Sequence, residues 1–220
     1  MRIPFLSFSS SCPGNRVRGF TLIELLVSIG IIGLVTSIVL VRYGSFDSTT
    51  ILKNAAYDVA LALRESQIRS ISVVRGPVTQ EGVSFDFAYG ISLNAGDDSY
   101  TAFRYASSTG QPRYEGDDAE LIDVLKLPGR AIHVVDMCTQ KGDTDQTCGL
   151  TRLDVSFRRP EFNALIYAID SNNVPLSNPE EITETQVFLT SEKDEDDRFV
   201  VKVTQFGQIS VCKEDMPNCL

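Results

Sequence analysis

The chain has 220 residues, which allows one domain, or one domain with a small appendage, beyond any membrane segment. It carries 20 basic and 29 acidic side chains, a formal net charge of −9. Nucleic-acid binding depends on lysine and arginine side chains that neutralise phosphates. The acidic balance therefore argues against nucleic acid as a partner.

The first 19 residues form a basic segment without any acidic side chain. They contain three arginines: Arg2, Arg16 and Arg18. Arginines are enriched on the cytoplasmic side of a membrane span, so we expect this end of the chain to lie inside. Cys12 falls on that reducing side, where we expect a free thiol. Without this segment, 17 basic and 29 acidic side chains remain, a charge of −12.

An apolar segment follows, from Phe20 to Val41, and Glu24 is its only charged residue. A helix rises about 1.5 Å per residue, so this length crosses the roughly 30 Å hydrocarbon layer of a bilayer. A cleavable secretory signal fits poorly, because Arg42 stands where the small residues of its cleavage site should follow. The segment predicts a single membrane span.

The residues around the start of this span carry a specific motif. Gly-Phe-Thr-Leu-Ile-Glu-Leu-Leu, residues 19–26, resembles the processing site of type IV prepilins and type II secretion pseudopilins. An ordinary signal anchor with a chance glutamate is the alternative. The resemblance implies that a prepilin peptidase cleaves between Gly19 and Phe20 and methylates the new N-terminal Phe20. It implies a role for Glu24 in assembly.

The same resemblance implies a cellular setting. The mature protein would sit in the inner membrane as a single-pass protein, with its head outside, and would enter a filament after assembly. Its partners would be the prepilin peptidase and methylase, other pilin or pseudopilin subunits, an inner-membrane assembly platform and membrane lipid. The function expected from it is that of a structural filament subunit, a minor pilin or pseudopilin, rather than an enzyme.

The position of Glu24 also has a physical interpretation. A carboxylate at the centre of a span opposes insertion by roughly 2.5–3.5 kcal/mol. Glu24 lies four residues, about 6 Å, from Phe20, so it can reach the cytoplasmic interface in an unassembled subunit. In a bundle of such helices it needs a partner. The free amine of Phe20 in a neighbouring subunit, largely protonated at neutral pH, is the natural candidate.

After the span, residues 44–76 have the pattern of an amphipathic helix. Small and apolar residues recur there every three or four positions, namely Leu52, Ala55, Ala56, Val59, Leu63, Ser66 and Ser70. Gly76-Pro77 should end this helix, and Gly44 could interrupt it near its start. Residues 54–67 also resemble the GspH/FimT class of minor pseudopilins.

From residue 77 to residue 220 the pattern changes to the period of β-strands. Predicted strands are Val83–Tyr89, Thr101–Tyr105, Leu121–Leu127, Ala131–Val135, Leu153–Phe157, Ala164–Ile169, Gln186–Thr190, Phe199–Thr204 and Gln208–Cys212. Short strands separated by turns predict antiparallel sheets. The predicted fold class is α+β: a leader (1–19), a transmembrane and assembly helix (20–43) and an amphipathic helix (44–76) packed on a β-rich head (77–220).

Four cysteines lie in the head. Cys138 and Cys148 bracket a polar segment that we predict to be a loop, and Cys212 and Cys219 bracket the C-terminal residues. Outside the membrane such pairs can oxidise. Three connectivities are possible, and we favour the two local ones, Cys138–Cys148 and Cys212–Cys219.

No catalytic or cofactor motif is evident in the head. His133, the only histidine, lies in a predicted strand beside Ile132 and Val134, where we expect it to face solvent or a satisfied partner rather than to act as a catalytic base. Hard oxygen ligands for calcium occur at Asp97-Asp98, at Asp143-x-Asp145 and in Glu192–Asp197, of which the last is the best candidate. We therefore expect no cofactor, with calcium as the alternative. The alternative function is a membrane-anchored binding protein or enzyme with a prepilin-like anchor.

Overall fold

The computed structural model describes residues 19–72, 78–79, 82–83, 87–106, 112–114, 119–129, 131–142, 145–160, 162–176, 181–192 and 194–214. Within them lie α1 (Leu22–Ile71), β1 (Val78–Thr79), β2 (Gly82–Val83), β3 (Phe87–Asn94), β4 (Ser99–Ala106), β5 (Ala119–Lys126), β6 (Ile132–Lys141), β7 (Asp145–Cys148), β8 (Arg152–Phe157), β9 (Ala164–Ile169), β10 (Glu184–Ser191), β11 (Asp194–Thr204) and β12 (Ile209–Lys213). The chain divides into two compact units, residues 1–44 and residues 45–220.

The first unit contains an apolar helix of membrane-spanning length. Leu22–Leu40 has 19 residues, a mean hydropathy of 2.4 and no side chain buried within the fold. By length and composition this segment can cross a bilayer, as the sequence predicted. Three hydroxyls within it donate to carbonyls of the same helix: Ser28 to Glu24, Thr36 to Ile32 and Ser37 to Leu34. Such bonds satisfy polar side chains where no water is available.

In the second unit, the part of α1 beyond residue 45 buries the predicted stripe. All seven of its members are buried, from Leu52, Ala55, Ala56 and Val59 to Leu63, Ser66 and Ser70. The helix ends at Ile71, earlier than the Gly76-Pro77 stop that the sequence suggested. At this end the Ser72 hydroxyl donates to the Ile68 carbonyl at 2.8 Å and satisfies an acceptor of the last turn.

Two five-stranded sheets enclose this stripe. Their strand orders are β5-β4-β3-β8-β9 and β12-β11-β10-β6-β7, with β1 and β2 forming a separate two-stranded pair. Every pairing is antiparallel. The inner faces of the two sheets and the stripe of α1 form one hydrophobic core. The predicted α+β class, a long N-terminal helix with a β-rich antiparallel head, is confirmed.

Strand β8 departs from the burial that its sequence predicts. Leu153, Val155 and Phe157 alternate with polar residues, which indicates one face in the core and one in water. All six residues of the strand are nevertheless buried. Arg152 and Asp154 on its outer face form an ion pair at 3.2 Å with almost no exposed surface. This face is covered, because Tyr114 packs there near Phe103 and donates its backbone N–H to Asp154 at 2.9 Å.

A polar contact joins the helix to the second sheet within the head. Asp197 on β11 accepts hydrogen bonds from the Thr49 hydroxyl at 2.7 Å and from Lys213 at 2.8 Å. Burial alone would raise the pKa of Asp197, but the hydrogen bonds from Lys213 and Thr49 and the charge of Lys213 outweigh it, so the pKa lies below its usual value. The ionised carboxylate therefore stabilises the folded head.

This contact predicts a pH dependence of stability. A depressed folded-state pKa stabilises the fold above the unfolded value of about 3.9, and that contribution is lost as the pH falls through the folded pKa. We expect Asp197→Asn to have a lower melting temperature than wild type at pH 6. Below about pH 4 the difference in melting temperature between the two proteins should become smaller. Thermal unfolding of the full chain in neutral detergent measures this, with Asp196→Asn, an exposed neighbour, as control. A melting-temperature difference that stays the same at low pH would contradict this pH dependence.

The segment between Cys138 and Cys148 is a hairpin rather than the predicted loop. β6 continues to Lys141 and pairs with β7, so Cys138 lies directly opposite Cys148 in the register. The reversal falls at Gly142, whose φ of 67° favours glycine. The two cysteines form the favoured local disulfide. Cys212 is also disulfide-bonded, but Cys219 lies outside the described residues and the Cys212–Cys219 pairing stays a prediction.

Removing the hairpin disulfide should destabilise the head. In the chain-entropy account a bridge that closes a loop of this length contributes about 2–3 kcal/mol, chiefly by restricting the unfolded chain. Cys138→Ala/Cys148→Ala should lower the free energy of unfolding by about that amount. Denaturant titration checks the value, and non-reducing peptide mapping of wild type checks the linkage. Recovery of Cys138 linked to Cys212 instead would contradict the pairing.

Candidate processing and assembly site

The predicted processing site lies at the very start of α1. Gly19 and Phe20 precede the helix in non-helical backbone, and both are exposed. An added Cβ at Gly19 would meet none of the described atoms within 4 Å. The fold itself therefore leaves room for a larger residue there. A requirement for glycine at this position must come from a protein that binds the segment.

Glu24 occupies the first turn of α1 and contacts Thr21. Thr21 is the N-cap residue, because the backbone N–H of Glu24 donates to its hydroxyl oxygen at 3.3 Å. The same hydroxyl lies 3.5 Å from Oε2 of Glu24. This is one half of a capping box, because the Glu24 side chain meets the Thr21 hydroxyl and not the Thr21 backbone N–H. It holds the Glu24 carboxylate against the N-terminal turn, where the helix dipole favours negative charge.

The role of Thr21 was missing from the sequence interpretation. Thr-x-x-Glu ahead of an apolar run is a capping signature that the sequence displays at residues 21–24. The prepilin-like motif drew attention to Gly19, Phe20 and Glu24 alone. Glu24 consequently has a local structural role in addition to any contact with another subunit.

The comparisons with known proteins bear on this segment. Residues 14–40 match the family model described as the prokaryotic N-terminal methylation motif. The match includes Gly19, Phe20 and Glu24, so this segment is similar to the N-terminal segment of type IV prepilins and pseudopilins. No curated protein and no solved structure matches the chain. The match ends before the head, and the GspH/FimT class stays a prediction.

The structure brings together some of the other candidate residues of the head, which are His133 and the acidic residues considered as calcium ligands. His133 lies on β6 opposite Thr190 and is half-buried. It lines an open cleft of about 480 Å³ together with Asp97, Asp98 and Glu192. Asp145 is exposed at the start of β7, and Asp143 lies outside the described residues. Asp197, at the end of the acidic run, is engaged by Thr49 and Lys213, which removes one carboxylate from the calcium candidate.

One group of potential metal ligands occurs in the described part of the chain, at Asp136, Cys138 and Cys148. Its two sulfurs are joined in the disulfide and are not thiolates. The Asp136 carboxylate accepts the N–H groups of Met137 at 2.7 Å and Gly149 at 3.0 Å. These bonds fix the corner of the hairpin, and in this oxidised state the group is a structural unit.

The outer face of the first sheet holds a closed polar cluster. Asp154 is fully buried and accepts from the guanidinium of Arg152 and from the backbone of Tyr114. Burial raises the pKa of its carboxyl, although hydrogen bonds from Ser92 and Tyr114 and the charge of Arg152 oppose the shift. Nearby, the hydroxyls of Tyr105 and Ser156 are 3.1 Å apart. A cluster without exposed surface has no access for substrate, so we assign it to packing.

Proposed function

We propose that the chain is a minor pilin or pseudopilin, a structural subunit of a type IV pilus or type II secretion-like filament. It would assemble from the inner membrane after leader cleavage and N-methylation of Phe20. The observation that carries the proposal is the methylation motif at residues 14–40, placed at the start of an apolar helix whose only charge is Glu24. The exported part of the protein would be the acidic, β-rich head.

The exposure of the apolar helix supports a role in assembly. Its large side chains, Leu22 at 81% and Ile32 at 64% among them, make no core within the first unit. An added Cβ at Gly30 or Gly33 would meet none of the described atoms within 4 Å. Small residues on an open helix face permit the close approach of another helix in lipid. Helices of neighbouring subunits are the partners this surface suits.

The carboxylate of Glu24 can serve both the helix and the assembly. Its Oε2 atom faces Thr21, whereas Oε1 has no hydrogen-bond partner among the described residues. After cleavage, the amine of Phe20 would be a cation at the same end of the helix. A neighbouring subunit shifted along the axis could then place its amine against Glu24. We propose that this pair sets the register between subunits.

The alternative is a membrane-anchored enzyme or binding protein with the same kind of anchor. An enzyme requires convergent titratable groups that a substrate can reach. In the described residues, the buried cluster around Asp154 is closed to a substrate, whereas an open cleft brings His133 together with Asp97, Asp98 and Glu192. The methylation motif at residues 14–40 is the observation that favours the structural role. The two functions differ in whether Glu24 is needed, because an anchored enzyme would not depend on it.

The first prediction concerns processing. Gly19→Val should leave the full-length precursor in the membrane, because the peptidase site must accept the residue before Phe20 and the fold itself does not constrain it. Mass spectrometry of the wild-type protein should find a methylated Phe20 at its N-terminus. Gly14→Val, upstream in the leader, is the matched control and should be processed normally. An intact Met1 in wild-type protein from cells with an active prepilin peptidase would refute the proposed function.

The second prediction separates the charge of Glu24 from its capping role. Glutamine also suits the third position of a capping box, so Glu24→Gln should preserve the helix start while removing the charge. Glu24→Val removes both. If the carboxylate neutralises a neighbouring amine, both variants should insert but fail to enter filaments. An unpaired buried charge costs about 3–5 kcal/mol when fully dry and less where water reaches it.

The measurement is the fraction of each variant that co-purifies with sheared filaments, relative to its amount in the membrane. Ser28→Ala is the matched control, since it removes a hydroxyl bonded only to the same helix, and it should assemble at the wild-type level. Wild-type assembly of Glu24→Gln together with failure of Glu24→Val would assign Glu24 to capping alone.

A further inference from the structure

An edge strand of the head presents apolar side chains to solvent. β5 is the last strand of its sheet and pairs only with β4 among the described strands. From residue 120 to residue 126 every side chain on it is exposed. Four of them are large and apolar: Leu121, Ile122, Val124 and Leu125. An exposed strand edge offers unpaired backbone groups to an incoming strand.

A groove runs between this strand and α1. Its volume is about 360 Å³, and its walls include Asp58, Leu61 and Glu65 from the helix and Tyr100, Asp123 and Leu125 from the sheet. Leu61 is 66% exposed although it lies on a helix that packs on the sheets. The groove thus has an apolar floor with carboxylates on both sides, and Arg69 and Lys126 also line it. All of these residues belong to the head.

The groove carries a net negative charge, because Asp58, Glu65 and Asp123 line it against Arg69 and Lys126. Glu65 is paired with Arg69, and Lys126 lies 3.9 Å from Asp98. Asp58 has no ion-pair partner in the described part of the chain. Burial raises the pKa of the Tyr100 hydroxyl, and the charges of Asp58, Glu65 and Asp123 raise it further. Asp58, Glu65 and Asp123 therefore all lie near Tyr100, and because Arg69 engages Glu65, a further cation in the groove would be stabilised mainly by Asp58 and Asp123.

We propose that β5 and this groove bind an extended segment of a partner polypeptide. The segment would add a sixth strand to the sheet and place a lysine or arginine between Asp58 and Asp123. Charge complementarity favours a basic occupant over a second copy of this acidic chain. The proposal is independent of the proposed function, since it uses only residues of the head.

The side chains and backbone of β5 favour pairing with particular strands over pairing with any exposed strand. β5 carries a register shift opposite Ala102 and Phe103, and its charged residues Glu120 and Lys126 deter pairing with arbitrary strands. The N–H of Val124 donates to the Asp123 carboxylate at 2.8 Å, so this amide is directed to a side chain and not to β4. An incoming carbonyl could replace that bond and release Asp123 toward a cation. Eight residues of strand, about 26 Å, suffice for such an addition.

Three synthetic peptides test the proposal on the full chain in neutral detergent. The probe is a capped heptapeptide of alternating valine and lysine. In one comparison peptide glutamate replaces every lysine, and in the other proline replaces the central valine. We expect binding, by fluorescence anisotropy, of the valine–lysine peptide only, because the glutamate peptide is repelled and the proline peptide cannot complete the ladder. Amide exchange across residues 119–126 should slow on binding.

Variants of the head locate the site. Asp58→Asn/Asp123→Asn should weaken binding of the valine–lysine peptide about tenfold and reduce its salt dependence. Val124→Pro should abolish binding, whereas Val124→Thr, which keeps the N–H, should retain it. Glu120→Gln is the charge control: it also removes a carboxylate from β5, but Glu120 is already paired with Arg104, so this variant should bind the peptide as wild type does. Near-wild-type melting temperatures show that each variant is folded.

Several results would overturn the inference. No binding of the valine–lysine peptide, equal binding of the proline peptide, or equal binding by Val124→Pro and Val124→Thr would each exclude strand addition at β5. Equal affinity for the lysine and glutamate peptides would exclude the acidic groove. None of these outcomes affects the processing of Gly19 or the assembly role of Glu24, so failure here is distinguishable from failure of the filament proposal.

Discussion

The packing of one helical stripe on two sheets is the interaction on which the head depends. Ala55, Ala56 and Val59 have no exposed surface, and Leu52 and Leu63 are 1% exposed. Full burial of a leucine contributes about 1.5–3 kcal/mol. The two alanines let the sheets approach the helix backbone, and the same core takes in the inner faces of both sheets. In the described residues no other helix offers the sheets a surface.

The sequence predicted this arrangement where periodicity carries the information. Residues such as Leu52, Val59 and Leu63 recur at helical spacing, and all of them are in the core. Strands β4 and β8 were likewise predicted from apolar alternation and have nearly the predicted limits, and the candidate strand Ala164–Ile169 matches β9. β7 was not predicted, since Asp145–Cys148 is polar and exposed on both faces. β7 pairs with β6, and the disulfide joins Cys138 to Cys148 directly across the two strands.

Contacts between segments distant in the chain left no comparable signal. The burial of Arg152 and Asp154 follows from the segment containing Tyr114, which lies 40 residues from Asp154 in sequence. Thr49 and Asp197 are 148 residues apart. Neither contact corresponds to a sequence motif. The alternation of apolar and polar residues on β8 even predicted that its outer face would be exposed to solvent. The groove beside β5 likewise exists only because topology places that strand at the edge next to α1. By contrast, Gly19, Phe20 and Glu24 form a short local motif that sequence alone identifies.

Glu24 illustrates how a residue can satisfy two requirements in turn. In a single subunit within a bilayer, a carboxylate without partners is costly. The Thr21 hydroxyl and the N-terminal end of the helix reduce that cost before any assembly takes place. The contact at 3.5 Å is weak, because hydrogen bonds between oxygens are usually 2.5–3.0 Å long. Under the proposed function, an ammonium group from a neighbouring subunit would break only this weak contact with Thr21 when it approaches. In its place it would provide Glu24 with a charge-assisted hydrogen bond. A strong local cap would hold the carboxylate in the monomer, whereas the weak contact with Thr21 leaves it available to a neighbouring subunit.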